Sequence, residues 1–124
     1  MEVDAPIEVA MPSHGVAVLE SRHRADFFMP WRSDPFAKVL YLFGGSGRLC
    51  LEDRELAVAS EQLCLVPPGC RHRLVDDRGK PVWLLGLCVE TGNAAWIEVA
   101  RELFQGPEVV ANPGLVQEGA MGLK

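Results

Sequence analysis

The residues of this 124-residue chain that could do chemistry gather in two short stretches. Trp31, Arg32, Asp34 and Lys38 stand just before and within an apolar run. His72 follows Pro67-Pro68-Gly69-Cys70-Arg71. Arg32, Asp34 and Lys38 are types that hold an anionic or polyhydroxylated small molecule by charge-assisted hydrogen bonds. The competing reading is a solvated strand face, on which an Asp34–Lys38 pair contributes little. His72 offers a donor or acceptor that can change charge near neutral pH; its competing reading is a single His satisfied by a nearby carbonyl. Arg71 and Arg73 alternate with His72 and therefore point away from the side it faces.

Aromatic walls are the usual complement of such polar groups in a ligand cavity. Phe28, Trp31, Tyr41 and Trp83 are the candidates. Tyr41 and Trp83 read first as residues that fill the core, and Trp31, between Pro30 and Arg32, is the candidate for a pocket entrance. His14 and His23 lie far from His72 in sequence. No G-x-S-x-G nucleophile turn occurs. Gly44-Gly45-Ser46-Gly47 lacks the Lys of a phosphate loop and reads as a hairpin turn. The four cysteines, Cys50, Cys64, Cys70 and Cys88, contain no C-x-x-C pair and read as free thiols in apolar or turn segments.

The elements that must position these residues are short strands. Apolar runs at 37–43, 48–52, 55–58, 62–66, 72–75 and 82–89 recur with Gly, Pro and Asp turn signals between them. No helix separates them, which disfavours a parallel βαβ sheet and points to an all-β sandwich or small barrel. One amphipathic helix is predicted over 93–104, with Asn93 as its cap and Trp96, Val99, Ala100 and Leu103 on one face. The chain divides into a barrel with an N-terminal arm, 1–91, and a helix plus linker, 92–124.

Composition excludes several functions. Seventeen Asp and Glu against 12 Lys and Arg give a net charge of −5, so direct nucleic-acid binding is disfavoured. No apolar run approaches the roughly 20 residues of a membrane span. The first residues, Met1-Glu2-Val3-Asp4, do not resemble a signal peptide, and the expected location is cytoplasmic.

Two segments, 30–45 and 61–72, resemble the two signature motifs of the cupin superfamily, most of all those of the N-terminal effector-binding domain of AraC-type transcription regulators. The second, ending P-P-G-C-R-H, is the more specific. The resemblance covers about 27–90 and implies a small double-stranded β-helix barrel (jelly roll) followed by a C-terminal helix. In metal-binding cupins the first motif supplies two His and one Glu. Those positions fall at Arg32, Asp34 and Lys38, and only His72 of the second motif matches. Two cations there would repel a divalent ion. Metal-dependent chemistry is therefore not carried over, and no cofactor is expected.

The resemblance implies a non-enzymatic domain that binds a small-molecule effector through Trp31, Arg32, Asp34, Lys38, Tyr41, His72 and Trp83. It would form a homodimer through the C-terminal helix, with the DNA-binding half absent from this chain and residues 1–14 as a movable arm. The alternative is a stand-alone cupin enzyme, a metal-dependent dioxygenase or isomerase using Asp34, His72 and His23. A third reading is a stand-alone binding or storage barrel.

Overall fold

The computed structural model describes residues 2–90 and the strand 108–110. Nine strands occur among them: β1 (Glu2–Val3), β2 (Val16–His23), β3 (Phe36–Gly44), β4 (Ser46–Leu51), β5 (Glu55–Ala59), β6 (Leu63–Val66), β7 (His72–Asp76), β8 (Trp83–Glu90) and β9 (Glu108–Val110). They form a six-stranded sheet, β1-β2-β8-β3-β6-β9, and a three-stranded sheet, β5-β4-β7. The all-β expectation holds, and the predicted runs from 37 to 89 each match a strand within two residues at either end. The helix expected over 93–104 lies outside the described residues.

Every strand pairing is antiparallel except that of β1 with β2. The period of two along each strand sorts the side chains. On β3, Phe36, Lys38, Leu40 and Leu42 face the opposite sheet, while Val39, Tyr41 and Phe43 face away. On β8 the inward set is Leu84, Gly86 and Cys88. Between the sheets, Leu42, Leu49 and Val82 are inaccessible to solvent and pack with Met29, Val58, Cys64, Val66, Leu74 and Leu84. Full burial of each such aliphatic side chain contributes roughly 1.5–3 kcal/mol.

Three strands had no counterpart among the predicted runs: the two-residue β1, β2 and β9. β2 is a regular alternation: Ala17, Leu19, Ser21 and His23 point inward, and Val18, Glu20 and Arg22 outward. β9, from the segment read as linker, joins the large sheet against β6, with Cys64 opposite Val109.

The glycine run at 44–47 does not close a hairpin. β3 and β4 belong to different sheets, and the chain crosses between them at Gly45 with φ +79°. A Cβ there would overlap the Pro81 carbonyl, so only glycine lets the corner pass this closely. Among the described residues no helix is long and apolar enough to cross a membrane.

Candidate ligand-binding cavity

The residues of the two chemical stretches meet at one end of the space between the sheets. A backbone bridge sets their register: the Arg32 amide donates to the His72 carbonyl at 3.0 Å, and the His72 amide returns a bond to the Arg32 carbonyl at 2.9 Å. The Gly69 amide donates to the Asp34 carbonyl at 2.8 Å, tying the Pro-Pro-Gly turn to the segment before β3. Lys38 arrives from β3, on the inward parity.

Their side chains form one ion network. The Arg32 guanidinium donates to Asp34 Oδ1 from Nη2 at 2.6 Å and from Nε at 3.2 Å. The Lys38 ammonium lies 2.6 Å from Asp34 Oδ2. It sits off the directions of a well-aligned hydrogen bond, so charge rather than alignment balances that oxygen. Asp34 is 6% exposed. Burial opposes its ionisation, but Lys38 and Arg32 together outweigh that and hold the carboxyl below its ordinary value. Arg32 is correspondingly held as a cation: burial works against its charge, and Asp34 and Glu8 more than offset it.

His72 completes the network and is 1% exposed. Its Nδ1 lies 2.9 Å from the Cys70 carbonyl oxygen, which only accepts, so Nδ1 carries the proton. Nε2 is then the acceptor for Lys38 Nζ at 3.1 Å. Burial, reinforced by the Lys38 charge, lowers the pKa of His72 below its ordinary value. The imidazole is therefore a neutral acceptor, and the charge switch near neutral pH read from its residue type is not what this environment gives.

A cavity of about 70 Å³ begins at this network and runs between the sheets. Arg32, Lys38 and His72 border it at one end, and Leu19, Leu40, Leu74 and Leu84 form much of its apolar wall. Pro6, Ile7 and Val9 of the N-terminal segment complete another wall, and Glu8 between them pairs with Arg32 at 3.4 Å. The far end holds His23, whose Nδ1 lies 2.9 and 3.0 Å from the two carboxylate oxygens of Asp76. Phe27 stacks on the His23 ring at 3.4 Å between centroids. The Val82 amide donates to Asp76 Oδ2 at 3.1 Å.

Of the seven sequence-predicted ligand residues, the structure brings four together: Arg32, Asp34, Lys38 and His72. Asp34 stands behind the two cations and borders a neighbouring cleft with Val9, Met11 and Glu90. The solvated-face reading of these residues fails, because three of the four side chains are buried or nearly so. The other three predicted residues do not border the cavity. Tyr41 and Trp83 have the outward parity of β3 and β8. There Phe43 joins them in an aromatic row, 5.2 Å from Tyr41 and 5.0 Å from Trp83. Trp83 Nε1 donates to Glu20 at 2.7 Å and Arg22 covers its ring. Trp31 lies outside the small sheet, with the guanidinium groups of Arg71 and Arg73 at 5.6 and 5.7 Å. Those two arginines do point away from His72, as alternation requires.

Sequence reasoning named His23 only as a metal ligand of the alternative enzyme reading, and missed its partner Asp76, Phe27, Ser21 and the role of residues 6–9 as a cavity wall. The signal for His23 was present, since Leu19, Ser21 and His23 share one parity of an alternating run. All four cysteines are free. Burial pushes the Cys64 thiol up to about 12 and also raises that of Cys88, which borders the cavity.

The four residues at the cupin metal positions do not fit a divalent ion. Lys38 Nζ sits against the one ring nitrogen of His72 able to ligate, and Asp34 is already shared by two cations. Among the described residues no group of three or more His, Cys, Asp or Glu could hold a metal.

A family model described as AraC-like ligand binding domain matches residues 13–118. The chain is similar in structure to a cupin protein from Bacteroides fragilis, with a TM-score of 0.56, 14% identity, and coverage of 71% of this chain and 85% of that one. It is similar to an apo form of ToxT from Vibrio cholerae, with a TM-score of 0.52 and 10% identity over 79% of this chain and 42% of that one. These likenesses establish the cupin fold. No curated protein matches the chain.

Proposed function

Because the chain belongs to the family of AraC-like ligand binding domains, we propose that it binds a small-molecule effector in the cavity between its sheets and performs no reaction on it. The observation that carries this reading is the ion network at one end of a cavity whose walls are largely apolar. Residues at the positions where a metal cupin places its ligands are engaged with one another, and what they present to the cavity is binding capacity without a reactive centre. None of the bordering groups has the arrangement of an activated nucleophile beside its base.

The finer reading is that this domain senses for a transcription regulator whose DNA-binding half lies outside this chain. Its dimer would form through the predicted helix 93–104. The N-terminal segment supports the sensing role, since Pro6, Ile7 and Val9 wall the cavity and Glu8 contacts Arg32. A ligand that changes those contacts favours one placement of the segment over another. The shift equals the ligand's difference in affinity between the two states.

A thermal-shift screen of small metabolites, followed by calorimetry, tests the binding. A ligand at about 100 times its Kd stabilises the fold by about 2.7 kcal/mol, an increase of several degrees in Tm. The expected result is stabilisation that a cavity-filling Leu74→Trp change removes. Turnover of a stabilising compound would instead establish an enzyme. Light scattering of the full chain and of a Trp96→Glu, Leu103→Glu variant tests the dimer, which the variant is expected to lose.

A further inference from the structure

The groups that border the cavity are unequal in charge. Two are cations, Arg32 and Lys38, and none is an Asp or Glu. Asp34, which neutralises one of them, faces the neighbouring cleft, so the cavity meets the cations and not the carboxylate. Among the described residues the other acid on these cations is Glu8, paired with Arg32, and its side chain is 85% exposed. With Glu8 largely in solvent, one buried carboxylate, Asp34, stands against the two cations that border the cavity.

Hydrogen-bond capacity is unequal in the same sense. An ammonium has three donors. Lys38 gives one donor to His72 Nε2 at 3.1 Å and meets Asp34 Oδ2 at 2.6 Å as an ion pair, which leaves at least one donor over. His72 cannot supply a compensating negative charge, and the Cys88 thiol beside the cavity is kept neutral by burial. Of the other polar groups on the wall, Ser21 is an uncharged hydroxyl and His23 is engaged with Asp76 at the far end; the remainder is apolar. A cationic ligand would add to an uncompensated charge, and a neutral one would leave it unmatched.

Size narrows the class further. At about 10–15 Å³ for each water-sized group, the 70 Å³ cavity holds about five non-hydrogen atoms.

We infer that the cavity is a site for a small monocarboxylate with an apolar body, its carboxylate on the spare Lys38 donor beside Arg32 and its body against Leu40, Leu74 and Leu84. This rests on the reading of the cavity as the effector site, and it adds the chemical class of the occupant.

The test uses the full chain and three five-heavy-atom probes of one shape: propanoate, propanamide and the propanamidinium cation, at pH 7 and matched ionic strength. Calorimetry is expected to show propanoate binding about tenfold or more tighter than propanamide, as a charge-assisted bond gives over a neutral one. The cation is expected to give no heat. Lys38→Met is expected to weaken propanoate about tenfold and propanamide less, so that the preference between them narrows. If that variant does not fold, Arg32→Gln, at a more exposed position, is expected to narrow the same preference. Equal binding of propanoate and propanamide overturns the anion assignment and leaves the cavity a ligand site. Preference for the cation overturns it as well. Failure of all three probes to bind also overturns it, while the effector reading then stands or falls on the metabolite screen.

Discussion

The two polar ends of the cavity are built from the same materials and balanced differently. At the far end His23 faces one carboxylate, Asp76, which also accepts from the Val82 amide, and Phe27 closes the ring's flat side. At the near end His72 faces a neutral carbonyl and a cation, while a single carboxylate serves both Arg32 and Lys38. One histidine is oriented by a carboxylate, and the other is held neutral by burial and a neighbouring cation. The contrast shows that charge excess, rather than the presence of polar groups, distinguishes the end suited to grip a ligand.

The comparison is most severely broken by removing the shared acid. Asp34→Ala leaves Arg32 and Lys38 unmatched in a buried place, and breaking such a network costs about 3–5 kcal/mol. Urea unfolding should show the midpoint fall with an unchanged slope. At the other end, Asp76→Ala strips partners from the His23 ring and the Val82 amide. The expected loss is about 1–3 kcal/mol for each buried group left without a partner. If the two variants proved equally mild, the near end would not be the more highly charged of the two.

pH sharpens the contrast. The folded-state pKa of His72 lies below its ordinary value of 6.5, so the unfolded chain takes up this proton first. Stability is then complete above about pH 6.5 and falls as pH drops toward the folded-state value. Asp34, also lowered, adds its stabilisation above the ordinary carboxylate value of 3.8 and loses it as pH falls through its folded value. A Tm profile of His72→Gln should therefore be flatter just below pH 6.5 than that of the parent, with the acid limb near pH 3–4 retained. The smallest effect belongs to the rim. Glu8→Gln removes an exposed partner of Arg32 and should change stability by less than about 1 kcal/mol, measurable by the same denaturation.

How much of this was legible in the chain follows from what a period of two can and cannot say. The apolar runs from 37 to 89 marked their strands because turn residues bounded each of them. Alternation along β3 also puts Lys38 on one side with Leu40 and Leu42. That same parity excludes Tyr41 from the interior, but residue type drew it into the list of ligand residues, and Trp83 with it. The burial of Asp34 was hidden, since a carboxylate between two cations reads locally as a solvated face. Only the long-range bridge of Arg32 to His72 brings its partners around it. The partner of His23 was hidden for a related reason: Asp76 lies 53 positions away, beyond any local pattern. The corner at Gly45 reads as a hairpin because both use glycine at positive φ, and only the assignment of β3 and β4 to separate sheets separates the two.

The central claim is that Arg32, Asp34, Lys38 and His72 hold one another and not a metal. Native mass spectrometry with metal quantitation, on the chain purified without chelator and then exposed to manganese, iron and zinc, tests it most directly. The account predicts a chain mass with no stoichiometric divalent ion before or after exposure. One divalent ion per chain, lost on His72→Gln, would contradict it.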